Sequence, residues 1–408
     1  MFTGKKLIEY ARLVLEIGVN LQRGQGLEIS CPVERREVAH ALTEQAYALG
    51  AKIVRVRWND EVLDNINYTH ASKDALCHIP KWFTDSKNEL VKENFCYVAI
   101  SAENPLAFKN VPADKLAAVA KARGKALKFY SDKVMGNSIR WCVVSVPTLE
   151  WAKIVFPGDE NCENKLLDAI ACTMRLNSRD PVGQWRKHIA ALERRANFLN
   201  KERFEYLLFK NSAGTDLKVG LAEGHVWLSA KERAEDGIDF VANLPTEEVF
   251  TAPHRMKVDG TVKSALPLSE NGHIIDNFSL TFKKGRITGF SAQTGYEHLK
   301  SLIERDKGTS RLGEVALIDK NSPIAKSGIL FYNTLFDENA SCHLALGKAY
   351  PTTVSLGAKA SKKELTASGV NDSNEHVDFM IGTPDMCVWG VKTGGEKIPL
   401  MSDGEWVI

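Results

Sequence analysis

The strongest constraint on the fold is an alternation of helix-like and strand-like segments over about the first 175 residues. Apolar residues recur at helical spacing at 7–15 and 38–49, and strand-like runs follow them at 27–31 and 53–58. Further strands are predicted at 96–100, 127–130 and 141–146, and a further helix near 113–123. Strands that alternate with helices of this length indicate βαβ units on a mainly parallel sheet.

Beyond a long helical segment near residues 185–199, the pattern changes to hairpins. Two pairs of strand-like runs flank short turns, namely 204–209 with 217–221 and 278–282 with 286–290. Such pairs indicate antiparallel strands. We therefore predict an α/β N-terminal domain with a mainly parallel sheet over residues 1–180. An α+β C-terminal domain rich in antiparallel strands is predicted over residues 181–408.

Charge and cysteine content argue against several classes of protein. The chain has 53 Lys and Arg against 51 Asp and Glu, a net charge of +2, which removes the main electrostatic argument for a nucleic acid or an anionic membrane as partner. Its eight cysteines are spread singly without a CxxC pair, as expected of reduced thiols. The first residues lack the apolar core of a signal peptide, and no apolar run is long enough to span a membrane. We expect a cytoplasmic protein.

Acids and histidines in the second half stand beside turn residues and small residues. The candidates are Glu247 and Glu248 in NLPTEEVF, Glu314 in LGEVALI, Glu338 and His343 in FDENASCH, Tyr350, and His376 and Asp378 in HVDFMI. On a strand, residues two apart face the same side, so His376 and Asp378 would project together. If 341–350 is a helix, His343 and Tyr350 lie two turns apart on one face, and Glu338 belongs to the loop before it.

Each of these segments alone could be structural, but together they favour a metal site. Acids inside apolar strands are unfavourable unless they are paired or bound to a cation. Enough negative charge for two divalent cations comes from four acids, Glu248, Glu314, Glu338 and Asp378. With the imidazoles of His343 and His376, this set suits Zn, Co or Mn better than Ca or Mg alone. No HExxH motif is present, which argues against a one-zinc site of the thermolysin kind.

At these residues the sequence resembles the thermophilic-type metalloaminopeptidases, the family of aminopeptidase T, aminopeptidase S and the PepS-like enzymes. The matching blocks in the second half are NLPTEEVFTAPH, LGEVALI, LFYNTLFDENASCHLALGKAY and HVDFMIG. The blocks in the first half are GQGLEISCPVE, FTDSKNELVKENFCYVAISAENP and PTLEWAKIVFP. They stand in the family's order and cover essentially the whole chain.

The resemblance implies a homodimeric aminopeptidase that releases N-terminal residues from peptides with a free N-terminus. It implies two divalent ions per subunit (Zn, Co or Mn, with Mg as a further candidate) that activate the attacking water. The positions that match the family's metal ligands are Glu248, Glu314, Glu338, His343, His376 and Asp378. Tyr350 matches the active-site tyrosine and would donate to the oxyanion, and Glu247 is our candidate general base.

Two other functions remain open at this point. One is a different two-metal hydrolase, a dipeptidase or an amidohydrolase of small amides, which would not require the free amine of an aminopeptidase substrate. The other is a non-catalytic binding protein stabilised by its metal. Structural zinc sites are usually four-coordinate and rich in cysteine, whereas this set consists of acids and imidazoles.

Overall fold

The structure is a computed structural model that describes residues 2–270, 273–357 and 359–408. The chain forms two compact units. Unit 1 comprises Met1–His188 and Lys231–Pro245, and unit 2 comprises Ile189–Ala230 and Thr246–Ile408. The domain limits predicted from the sequence, 1–180 and 181–408, remain a proposal. In the described ranges, no helix has both the length and the apolar composition that crossing a membrane requires.

The helices are numbered in chain order. They are α1 (Gly4–Leu13), α2 (Arg36–Ala48), α3 (Glu61–His70), α4 (Lys73–Cys77), α5 (Lys81–Lys92), α6 (Ala113–Ala126), α7 (Lys128–Met135), α8 (Leu149–Val155), α9 (Cys162–Thr173), α10 (Pro181–Glu202), α11 (Tyr296–Glu304), α12 (Pro323–Ser327), α13 (Thr334–Asp337) and α14 (Lys362–Ala367). A π-helical segment follows α1 (Val14–Gly18), and short 3-10 turns occur at Val33–Arg35, Glu338–Ala340 and Pro351–Thr353.

The strands are numbered in the same way. They are β1 (Gly26–Pro32), β2 (Ile53–Asn59), β3 (Cys96–Ser101), β4 (Trp141–Ser145), β5 (Tyr206–Lys210), β6 (Asp216–Leu221), β7 (Lys231–Arg233), β8 (Asp239–Val241), β9 (Val249–Thr251), β10 (Pro253–Lys263), β11 (Leu268–Glu270), β12 (His273–Lys283), β13 (Arg286–Thr294), β14 (Leu312–Leu317), β15 (His343–Gly347), β16 (His376–Met380), β17 (Cys387–Val391), β18 (Lys397–Ser402) and β19 (Glu405–Trp406).

Unit 1 contains the parallel sheet that the sequence predicts. Its strand order is β2-β1-β3-β4, and each neighbouring pair is parallel. Strand β1 is buried over almost its whole length, as is usual for a strand inside a parallel sheet covered by helices. The antiparallel pair β7–β8 also belongs to this unit. The predicted α/β class is confirmed.

The strand predicted at 127–130 is wrong. Leu127 separates α6 from α7, and the helical hydrogen bond from Ser131 N to Leu127 O is 2.8 Å long. A short apolar run does not by itself distinguish a strand from one side of a helix. Here α7 packs against the sheet: the ring centroid of Tyr130 lies 6.5 Å from that of Tyr97 in β3. The packing of α7 therefore decides the conformation.

Unit 2 is antiparallel, as predicted. Its large sheet has the order β11-β12-β10-β6-β5-β17-β18-β19, with β13 paired to β12. The predicted hairpins are β5–β6 and β12–β13. A second antiparallel sheet has the order β16-β15-β14-β9, and we call it the site sheet. Four of the predicted metal ligands lie on its strands, namely Glu314, His343, His376 and Asp378. A fifth, Glu248, directly precedes β9.

The conditional helix at 341–350 is wrong, because His343–Gly347 is strand β15. The sequence HLALG is rich in good helix formers, but it lies between β14 and β16 and pairs with both. All five of its residues are buried. Hydrogen bonding on both sides within the sheet outweighs the helix propensity of Leu and Ala, which contributes only a small free energy per residue.

Candidate metal centre

The register of the site sheet brings acids and histidines from three strands onto one face. Glu314 of β14 lies opposite Ala345 of β15, which lies opposite Asp378 of β16. His343 and Ala345 are two apart on β15, and His376 and Asp378 are two apart on β16, so each pair shares a face. The prediction that His376 and Asp378 project together agrees with this register, and Val377 between them is buried.

Glu248 reaches the same face from the edge strand. It directly precedes β9 and is two residues from Phe250, which pairs with Ala316 of β14. Ala316 in turn lies opposite His343. Small residues occupy the positions between the candidate ligands, which leaves room above the sheet for an ion.

Two groups of side chains have the geometry to hold a metal ion. The first is Glu248, Glu314 and His343, and the second is Glu314, His376 and Asp378. In each group one potential ligand atom per residue lies within 4.8 Å of the others. Nε2 of His343 is 3.4 Å from Oε2 of Glu248 and 3.3 Å from Oε1 of Glu314. Glu314 is 5% exposed and belongs to both groups.

The orientation of His376 is fixed by the main chain. Its Nδ1 donates a hydrogen bond of 2.6 Å to the carbonyl oxygen of Lys348, directly after β15. This bond directs Nε2 to within 3.2 Å of Oδ1 of Asp378 and 3.9 Å of Oε2 of Glu314. Metal-binding histidines typically donate the N–H of their other ring nitrogen to a carbonyl or carboxylate oxygen in this way.

Burial and mutual repulsion oppose the ionisation of two carboxylates of the centre. Burial raises the pKa of Glu248 to about 8, and the charge of Glu314 adds to the effect. Burial and the charge of Asp378 raise the pKa of Glu338 well above its usual value. For Asp378 burial also acts to raise the pKa, but the adjacent His376 outweighs it and the pKa is lowered. Carboxylates crowded in this way are stabilised by a bound cation.

Burial acts on the pKa of the two histidines in the opposite sense to its action on the acids. Burial would lower their pKa, but the surrounding carboxylates outweigh it, and the pKa of both His343 and His376 rises to about 10. Without a metal, the imidazoles therefore keep protons that neutralise the acids. Four carboxylates with two imidazoles form a donor set that a divalent transition ion fits well, because it replaces those protons.

We expect metal binding to release protons at neutral pH and to strengthen as the pH rises. The histidines bind metal only as neutral imidazoles, and with a pKa of about 10 they are charged in the metal-free protein at pH 7. Calorimetric titration of Zn²⁺ in buffers of different ionisation enthalpy measures the released protons. If the heat of Zn²⁺ binding did not depend on the buffer, no protons would be released, and the prediction that both histidines are charged without metal would be wrong.

Glu338 lies beside these two groups and belongs to neither. It begins the 3-10 turn after α13 and lines a cavity together with Asp378. The buried amide of Asn339 holds this turn: its Oδ1 accepts the main-chain N–H of Glu247 at 2.8 Å, and its Nδ2 donates to the carbonyl of Leu335 at 3.2 Å. Asn339 thus links the two acidic segments 247–248 and 337–338.

Tyr350 and Glu247 also lie outside the two groups. The ring centroid of Tyr350 is 4.9 Å from that of His376 and 6.4 Å from that of Phe250, so Tyr350 covers the centre. Burial and the nearby carboxylates raise its pKa well above 10. Glu247 is buried, and its charge acts on Arg195, where it opposes the lowering of the arginine pKa by burial.

Sequence reasoning missed the residues that position the centre. Lys348 contributes only its carbonyl oxygen, so its side chain gives no signal. Asn339 stands within FDENASCH, and its amide is a usual partner for main-chain groups, but the sequence does not reveal which ones. Ala345 looks like any core alanine until the strand register is known.

Comparison with known proteins agrees with this centre. A family model described as thermophilic metalloprotease (M29) matches residues 3–406. Aminopeptidase 2 of Geobacillus stearothermophilus is 43% identical over 404 residues, and aminopeptidase AmpS of Bacillus subtilis (strain 168) is 40% identical over 404 residues; each match covers 98% of both chains. The solved structure of wild-type AmpT from Thermus thermophilus matches with a TM-score of 0.93 at 35% identity, over 99% of both chains.

Fold, centre and relatives together define a metal-dependent peptide hydrolase of the aminopeptidase class. The chain belongs to the thermophilic metalloprotease family (M29). The predicted resemblance is confirmed, and membership implies a divalent metal and peptide substrates.

Proposed function

We propose that this metalloaminopeptidase uses two divalent ions bound side by side on the site sheet. The observation that carries the proposal is that Glu314 belongs to two ligand groups at once. Glu248 and His343 would complete one ion site, and His376 and Asp378 the other. Glu338 would join them as the sixth ligand, as the family resemblance implies, and the charges of Asp378 and Glu248 already raise its pKa.

The donor set favours Zn, Co or Mn, with Mg as a further candidate, because imidazole and carboxylate ligands occur together. When bound, such ions polarise the scissile carbonyl and lower the pKa of a water molecule, which supplies a nucleophile at neutral pH. The chain's own residues must then bind the substrate amine, accept a proton and stabilise the developing oxyanion.

The carboxylates beside the cavity provide the place for the free α-amino group. Glu338 and Asp378 both line the cavity, and their carboxyl oxygens can accept hydrogen bonds from the amine. A substrate whose amine is blocked loses this interaction. Glu247, next to Glu248 in the chain, remains our candidate to accept the proton of the attacking water and return it to the leaving amine.

Tyr350 is the proposed oxyanion donor. Because its pKa is raised well above 10, its phenol stays protonated at any working pH and remains a hydrogen-bond donor. Its main-chain carbonyl accepts bonds from Oγ1 of Thr353 at 2.5 Å and from N of Thr353 at 3.1 Å, which fixes the start of the following turn.

We expect Tyr350→Phe to lower kcat by about 10²–10³-fold, the usual effect of removing one oxyanion donor. The ring is kept, so its packing on His376 should persist and the metal content should stay at the wild-type level. Steady-state kinetics and metal analysis of the same sample measure both. A variant with wild-type kcat would exclude this role for Tyr350.

The proposed function is tested with free and blocked substrates. Leucyl p-nitroanilide and its N-acetyl derivative are compared after EDTA treatment and after addition of Zn²⁺, Co²⁺ or Mn²⁺. We expect activity only with the free amine and only after metal is restored, with two ions per chain at full activity. Equal cleavage of the acetylated compound would indicate a different amidohydrolase, and full activity with one ion would contradict the two-metal proposal.

From the family resemblance we also propose a homodimer in the cytoplasm. Sedimentation equilibrium of the purified protein tests the dimer, and a mass equal to that of the single chain, 45.2 kDa, would contradict it. Fractionation of the source cells tests the location.

A further inference from the structure

A small cavity opens directly beside the candidate metal centre. Its volume is about 70 Å³, and Glu338 and Asp378 form part of its wall. Apolar and aromatic side chains form much of the rest, namely Leu268, Ile274, Leu330, Tyr332 and Met380. We call it the acid-edged cavity. A space with carboxylates at one place and aliphatic groups at another suits a ligand with a cationic end and an apolar branch.

The position of Met380 ties this cavity to the centre. Met380 lies opposite His343 in the register of the site sheet, and it is two residues from Asp378 on the same strand face. An amino acid whose amine meets Asp378 or Glu338 would therefore have its side chain within reach of the apolar wall. In an amino acid the amine nitrogen and Cβ are only two bonds apart. The group that binds the amine and the subsite that binds the side chain must therefore be neighbours.

Hydrogen bonds fix the part of the wall that Tyr332, Asn333 and Asp337 form. The carboxylate of Asp337 accepts the main-chain N–H groups of Phe331 at 2.8 Å and of Asn333 at 3.0 Å. These bonds flank Tyr332, whose φ of 55° lies in the left-handed region that a tyrosine rarely adopts. The side chain of Asn333 in turn accepts the N–H of Leu335 and caps α13. Strain retained next to a reactive centre is typical of residues that shape a binding site.

We propose that the acid-edged cavity is the subsite for the side chain of the substrate's N-terminal residue. It selects uncharged aliphatic side chains of the size of Val or Leu. This inference rests on the proposed aminopeptidase function and goes beyond it by naming the substrate class. An N-terminal Asp or Glu is disfavoured, because its carboxylate would lose water against the apolar wall of Leu268, Ile274 and Met380.

A second cavity is the alternative candidate for this subsite. It measures about 310 Å³, and its wall includes Ile318, Ile324 and Ile329. Leu330 lines both cavities. If the larger cavity received the N-terminal side chain, bulky aromatic residues would be preferred. The acidic residues that would hold the amine line only the smaller cavity, which favours the smaller one as the subsite.

The test alters each cavity separately. Leu268→Ala enlarges the acid-edged cavity, and Leu268→Phe fills it. Ile274→Phe also fills it, and because Ile274 is 38% exposed this change should not impair folding. Ile329→Ala is the matched control, since Ile329 lines only the larger cavity. For each variant, kcat/KM is measured with the p-nitroanilides of Ala, Leu and Phe.

We expect Leu268→Ala to raise the Phe/Ala ratio of kcat/KM by about tenfold, and both Phe variants to lower the Leu/Ala ratio by about tenfold, the range that one or a few methylenes produce in a hydrophobic pocket. Ile329→Ala should leave both ratios within about twofold of wild type. Ratios that move in Ile329→Ala and not in the other variants would overturn the assignment. Failure of the proposed function would appear differently, as cleavage of N-acetylated substrates by the wild-type enzyme.

Discussion

Glu314→Gln should reduce kcat/KM by at least about 10³-fold and abolish binding of the two proposed metal ions. The substitution keeps the shape of the side chain and removes the negative charge that both ligand groups share. Since metal ions contribute several kcal/mol of transition-state stabilisation, and each 1.36 kcal/mol is tenfold in rate, their loss has an effect of this size. Elemental analysis of dialysed protein, together with kinetics on leucyl p-nitroanilide, measures both consequences.

The same variant distinguishes a role in metal binding from a role in folding. The charge of Glu314 raises the pKa of Glu248 in the metal-free protein, so the two acids repel each other. Glu314 also lies 3.3 Å from Nε2 of His343 and helps to keep that imidazole protonated, so the loss of this attraction opposes the loss of the repulsion. Metal-free Glu314→Gln should therefore have a stability close to that of the metal-free wild type, whereas the stabilisation by added Zn²⁺ should disappear. The exposed Glu304→Gln is the control and should retain both metal and activity. A variant that keeps two ions would refute the shared-ligand geometry.

The fold class could be predicted because its signals are local. Strands β1, β2, β3 and β4 each appear in the sequence as short strand-like runs, and turn residues mark the β5–β6 and β12–β13 hairpins. Where the local signal is ambiguous, tertiary packing decides. Leu127–Tyr130 became part of a helix because α7 packs on the sheet, and His343–Gly347 became a strand because β14 and β16 pair with it on both sides.

The candidate ligands could be proposed from residue type, since acids in apolar strands require a partner, and from the family resemblance, which matches them position by position. Their grouping could not. That Glu314 faces two histidines depends on the register Glu314–Ala345–Asp378, which brings together positions 314 and 378 of the chain. The role of the Lys348 carbonyl depends equally on the main-chain path, which no side-chain pattern reveals. The prediction for Glu247 is not tested by these contacts, and it remains a prediction.

Ala345→Leu should abolish metal binding and reduce activity by at least about 10³-fold, although Ala345 binds nothing itself. Ala345 is fully buried and lies between Glu314 and Asp378 across the site sheet, with its methyl group on the ligand face. An isobutyl group there occupies the space between the carboxylates, where the proposed ions would lie. Overpacking of this kind typically costs about 1–3 kcal/mol of stability, which a chain of this size tolerates.

Ala345→Gly separates this effect from a general defect in β15. Glycine keeps the space above the sheet and weakens the strand, by roughly 0.5–1 kcal/mol relative to alanine. We expect Ala345→Gly to bind metal and retain most of its activity at 25 °C, with a lower Tm than wild type, and Ala345→Leu to remain folded by circular dichroism without metal. If Ala345→Leu bound two ions and hydrolysed leucyl p-nitroanilide normally, the ions would lie away from the Glu314–Ala345–Asp378 row. The metal centre would then have to be assigned to another position in the protein, although every proposed ligand is present.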